Sequence, residues 1–107
     1  MSAAVGALIW SPFGSEQAAA KAARQLLDEG LIACANLVPG MRSLFLWQGK
    51  TDEQRECGAL FKLDARLLAS AMARLEEIHP YDAPAIMGWR CDAATPATLS
   101  WLGQGAS

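Results

Sequence analysis

The stretch MRSLFLWQG, residues 41–49, constrains the chain more than any other. Read as a strand, its two-residue period places Met41, Phe45 and Trp47 on one face and Leu44 and Leu46 on the other. Both faces are therefore apolar. In a small sheet covered by helices on one side, a strand has one wet face. The second face of this strand needs a cover, and 107 residues make one domain with little left over to supply it. The expected cover is a second copy of the chain, with Leu44, Phe45, Leu46 and Trp47 at the oligomer interface.

The flanking segments alternate between strand and helix signals. SAAVGALIW (2–10) reads as a buried strand ending before Ser11-Pro12. A helix follows, with Ser15 as N-cap and Glu16 in its first turn. Its apolar face is Ala19, Ala22, Ala23, Leu26 and Leu27, and Gly30 is its stop. LIACANLVPG (31–40) is a strand closed by Pro39-Gly40, which needs only a turn or a bulge that bends a long hairpin. KTDEQRE (50–56) is a polar turn or an exposed strand tip, and CGALFKL (57–63) is a strand that carries Lys62. Asp64 caps the next helix, whose stripe is Leu67, Leu68, Ala71, Met72, Leu75 and Ile78. Pro80 ends it at His79. APAIMGWRC (83–91) is a last strand, and Thr95 and Pro96 open a short helix over 95–103. The order β-α-β-β-α-β plus a terminal helix predicts an α+β, ferredoxin-like sandwich. Residues 1–107 form one domain, with one sheet face bare.

Charge excludes several functions. The net charge is −2, so there is no basic field for nucleic acid or anionic lipid. Hydrophobic residues at 52% and charged residues at 19% describe a globular chain. The apolar N-terminal run is too short for a secretory signal or a membrane span. Cys34, Cys57 and Cys91 lie far apart with no CxxC spacing, which argues against a disulfide framework or a zinc knuckle. They read as reduced, mostly core thiols of a cytoplasmic protein.

IHPYDAP (78–84) holds the chain's one histidine and one tyrosine. As a metal ligand, His79 has only Asp82 nearby in sequence, where a site needs three or four donors; a trimer could gather three copies. As a turn residue, His79 would end the helix. Its protonated ring would then suit the negative helix end, or the ring would bond a carbonyl and stiffen the turn. No serine or cysteine beside it supports general-base catalysis, so no enzyme activity is expected. Lys62, among apolar neighbours, has two readings: an anion-binding lysine in a cleft between subunits, or an outward-facing or carboxylate-paired lysine. Trp47, Trp89, Trp101 and Tyr81 read as pocket walls or as packing anchors. Arg42 points away from Met41 and would pair across subunits. Asp52-Glu53 and Glu76-Glu77 read as solvated.

Several of these stretches together resemble the divalent-cation-tolerance (CutA) family. They are LIACANLVPG, SLFLWQGK, Lys62, HPYDAP and the terminal LSWL, in register from Gly6 to Leu102. The resemblance implies a ferredoxin-like protomer in a tight homotrimer, with sheets packed edge to edge around a threefold axis. It implies binding of copper or other divalent ions, a role in metal tolerance and no catalysed reaction. It also implies a ligand cleft between subunits, to which Lys62, Tyr81, Asp82 and Arg42 are assigned, with His79 as the remaining metal ligand and no cofactor required. The alternative is a scaffold like the PII-type signalling proteins, which share the fold and bind small effectors between subunits. Such a scaffold would take a small anion or a protein partner, with metal binding lost. The sequence departs from the family pattern at proposed ligand positions. Trp10 stands for a cysteine and Ile78 for the first of two histidines. Ala85 replaces a glutamate, Leu63-Asp64 a threonine pair, and Thr98 a tyrosine.

Overall fold

A computed structural model describes residues 5–104 of the chain. Its elements are β1 (Gly6–Phe13), α1 (Glu16–Asp28), β2 (Cys34–Trp47), β3 (Lys50–Asp64), a 3-10 turn (Ala65–Leu67), α2 (Leu68–Ile78), β4 (Met87–Arg90) and α3 (Pro96–Gln104). The strands form one antiparallel sheet in the order β2-β3-β1-β4. This is the split βαβ arrangement expected, with a third helix appended.

Local chemistry sets the helix ends. The Ser15 hydroxyl accepts from the Ala18 amide at 3.1 Å. At the other end Gly30 takes φ +71, so its amide reaches the Leu27 carbonyl and the Leu31 amide reaches that of Leu26. This is a Schellman cap. Asp64 caps through the Arg66 amide, but what it starts is the 3-10 turn, and α2 begins only at Leu68. Helices α1 and α2 cover one sheet face. Phe13, Phe61, Ile9, Leu26, Leu63 and Leu75 are fully buried there, each contributing about 1.5–3 kcal/mol by leaving water.

The strands differ from the sequence expectation in three ways. First, β1 runs through Ser11 and Pro12, while residues 2–4 of the expected strand lie outside the described part. Pro12 is tolerated because its carbonyl turns away from β3 to accept a bond from His79. Its ring nitrogen points the same way, so the β1–β3 ladder loses no donor. Second, the segments expected as strands at 31–40 and 41–49 are a single strand. Pro39-Gly40 does not end it: Val38 pairs Gly58 and Met41 pairs Glu56, so Pro39 and Gly40 together oppose Cys57 as a bulge. The turn lies instead at Gln48-Gly49, with φ +52 and +79, the geometry of a two-residue hairpin turn. KTDEQRE is the returning strand. Third, β4 is only Met87–Arg90, and 83–86 reach it as irregular chain.

The fused strands project beyond the domain as a two-stranded arm, and the molecule extends 49 × 26 × 22 Å. The arm carries the alternation read from sequence. Leu44 and Leu46 are 71% and 74% exposed and Trp47 is 61% exposed. The sheet face opposite α1 and α2 also shows Met87 and Trp89 to solvent.

Candidate functional site

Pro80 cannot continue α2, so His79 turns to extended backbone at φ −65, ψ 133. This folds its imidazole inward, where it is 6% exposed and stacks on Phe13 with ring centroids 4.1 Å apart. Nε2 lies 3.0 Å from the Pro12 carbonyl oxygen, and Nδ1 lies 3.1 Å from the Tyr81 amide nitrogen. A carbonyl only accepts and an amide only donates. The ring therefore carries its proton on Nε2 and is neutral. Burial holds its pKa below the usual histidine value, against the opposing pull of the Pro12 bond and the Glu56 charge.

Tyr81 follows on the same turn. Its ring lies 4.9 Å from that of His79, and its hydroxyl donates to Glu56 Oε2 at 2.7 Å. Burial, the hydrogen bond to Glu56 and the charge of Glu56 push its pKa up to about 12. Gly14 makes room for the phenol, since a Cβ there would sit 3.3 Å from the hydroxyl. Phe13, His79, Tyr81 and Glu56 thus tie the end of β1, the end of α2 and the base of the arm into one unit.

Beside this unit lies a groove of about 540 Å3. Phe45, Trp47, Asp52 and Gln54 of the arm form one wall, and Pro80, Tyr81, Asp82 and Ala83 form the other. Phe45 and Asp52 are cross-strand partners, so an aromatic ring and a carboxylate share the wall. The groove is aromatic and acidic.

The expected site residues divide. Tyr81 and Asp82 reach this groove, and Phe45 and Trp47 line it rather than standing only on an interface. Arg42 lies on the other face of the arm. Within the chain its guanidinium makes a bidentate pair with Glu53 at 3.0 and 3.2 Å. Lys62 follows Glu56 by six positions on β3, about 20 Å along the strand, and lines a different cavity with Trp101 and Cys91. Within one chain Lys62 is therefore not near His79 and Tyr81. The charged, helix-end role weighed for His79 does not hold, since the ring is neutral; its bond to a carbonyl does. The metal-ligand role conflicts with the same geometry, because neither ring nitrogen keeps a free lone pair. Trp10 and Ile78 offer no donor. Among the described residues no three His, Cys, Asp or Glu side chains cluster to hold an ion. The donors of one chain do not fit a copper site.

Sequence reasoning missed Glu56, Phe13 and Asp52. Glu56 and Asp52 lie in a segment that reads as a polar turn or an exposed strand tip, and the strand-tip reading is the one the structure has. The available signal was their even spacing in register with the strand that follows. Phe13 lay beyond a proline taken as the strand's end.

The fold is a ferredoxin-like α+β sandwich with a third helix, and its groove is lined by aromatic rings and carboxylates. Residues 7–105 match the family of the CutA1 divalent ion tolerance protein, and the chain belongs to that family. The divalent-cation tolerance protein CutA of Pyrococcus horikoshii is 38% identical over 95 residues, covering 89% of this chain and 92% of that protein. The Thermus thermophilus protein of the same name is 34% identical over 88 residues, covering 82% and 85%. Among solved structures, the CutA1 divalent ion tolerance protein of Ehrlichia chaffeensis superposes with a TM-score of 0.93 at 26% identity, covering 99% of each chain. CutA1 of Pyrococcus horikoshii gives 0.88 at 35% identity, covering 94% of this chain and 98% of that one.

Proposed function

We propose that this chain serves divalent-cation tolerance as a homotrimeric binding protein, and that its ligand site is the groove between the arm and the 79–83 turn. The observation that carries the reading is the groove's composition. Asp52 and Asp82 supply negative charge, Gln54 an amide oxygen, and Phe45, Trp47 and Tyr81 the faces of aromatic rings. Carboxylates and ring faces both attract cations. The site suits a hydrated divalent cation or an organic ammonium ion, completed by donors from a second copy. It does not use the imidazole of His79.

Assembly is supported by the arm. A strand pair with Leu44, Leu46 and Trp47 in solvent is unusual for a monomer, and a second copy is the natural cover. The free thiols of Cys34, Cys57 and Cys91 support a cytoplasmic setting. No helix among the described residues is long and apolar enough to cross a membrane.

Calorimetric titration of the intact oligomer with zinc(II) and copper(II) tests this reading. Asp52→Asn with Asp82→Asn is expected to abolish the heat of zinc binding, while His79→Ala leaves it unchanged. Tight copper binding that disappears only in His79→Ala would contradict it.

A further inference from the structure

The second cavity lies at the other end of the sheet, where α3 stands against β1 and β3. It holds about 370 Å3 and opens beside Ala7, Leu8, Lys62, Cys91, Thr98 and Trp101. Lys62 sits between Leu8 on β1 and Cys34 on β2 in the sheet register. It is the cavity's one charged residue, and its remaining lining is almost all apolar. Among the described residues no carboxylate forms an ion pair with it. Lys62 is half-buried, its stem lies among apolar neighbours, and its ammonium, having no carboxylate partner, can pair with an incoming anion.

The lining also limits which anion fits. One cation balances one negative charge, so a phosphate ester or a dicarboxylate would leave charge unmet on apolar walls. Trp101 is 44% exposed and offers its ring to a planar partner. Ala93 and Ala94, being small, leave the body of the cavity open.

We propose that this cavity binds a small aromatic monocarboxylate, with the carboxylate on Lys62 Nζ and the ring against Trp101. The site is separate from the groove at Tyr81 and does not depend on its assignment. It is opposite in sign: one end of the sheet takes a cation, the other an organic anion.

The test uses 2-naphthoate and its neutral analogue 2-naphthamide, titrated into the full-length protein by calorimetry and followed by amide and indole NMR shifts. Naphthoate is expected to bind once per chain, at least about tenfold more tightly than naphthamide, as a charge-assisted bond requires. Shifts should centre on Lys62, Thr98 and the Trp101 indole. Lys62→Met should erase the preference for the anion, Lys62→Arg should keep it, and Trp101→Ala should weaken both ligands. Equal binding of the two ligands overturns the proposal. So do shifts centred on Tyr81, or no binding to the wild type, the result expected if a second copy fills the cavity.

Discussion

The imidazole of His79 donates from Nε2 to the carbonyl of Pro12 at 3.0 Å, bonding residues 67 positions apart. The bond gives the Pro12 carbonyl a partner inside β1 and ties the end of α2, which Pro80 terminates, to that strand. Replacing the ring by leucine fills a similar volume but leaves the Pro12 carbonyl and the Tyr81 amide without partners. Each buried unsatisfied group costs about 1–3 kcal/mol. His79→Leu should lower stability by about 2–3 kcal/mol in urea denaturation. A midpoint unchanged from wild type would show that the ring ties nothing together.

The same ring sets a pH dependence. Its pKa in the folded chain is lowered, chiefly by burial. The unfolded chain takes up the proton near the ordinary value of 6.5, while the folded chain still excludes it. The contribution is therefore full above that value and is lost as pH falls below it toward the lowered folded value. Urea midpoints measured between about pH 5 and 8 should drop on the acid side, and His79→Leu should flatten that drop. Tyr81 acts at the other extreme. Its pKa is raised from 10 to about 12, so its contribution is full below 10 and is lost as pH rises toward 12. Tyr81→Phe should remove that alkaline loss.

Two glycines separate sterics from backbone strain. A Cβ on Gly58 would sit 2.3 Å from the Trp10 ring and 2.9 Å from Met41. Gly58→Ala should cost about 1–3 kcal/mol by overpacking. A Cβ on Gly40 would meet nothing, yet φ is +71 at the bulge. Gly40→Ala should cost about 1–2 kcal/mol through the left-handed backbone alone. Trp10→Ala should rescue Gly58→Ala and leave Gly40→Ala unchanged, and thermal melts of the double variants decide it.

Much of the fold was legible because each helix announces its own ends. Ser15, Gly30, Asp64, Pro80 and Thr95 act on neighbours within a few residues, which a sequence displays directly. The strands were less legible. Pro12 and Pro39-Gly40 look like breaks, and only distant partners make them tolerable: the ring of His79 for the first, and the two-against-one pairing with Cys57 for the second. The site was half legible for the same reason. HPYDAP identified Tyr81 and Asp82, but Asp52 and Glu56 join them only because the arm's register brings them there. Lys62 shares a strand with Glu56, and the length of β3 keeps it away from Tyr81.

The arm predicts how assembly can be broken without unfolding the chain. Leu44 and Leu46 stand in solvent beside the Arg42–Glu53 pair and support no core of their own. Leu44→Asp with Leu46→Asp should leave the circular dichroism spectrum intact and dissociate the oligomer. Loss of helix and strand signal in this variant would mean that the protomer needs the assembly to fold.

Light scattering of the wild-type protein at micromolar concentration decides whether the arm is covered by further copies of the chain. A homotrimer gives three times the chain mass of 11.4 kDa, held on dilution. A single-chain mass would contradict it: the arm would then carry its leucines and tryptophan in water, and the groove would have no second copy to close it.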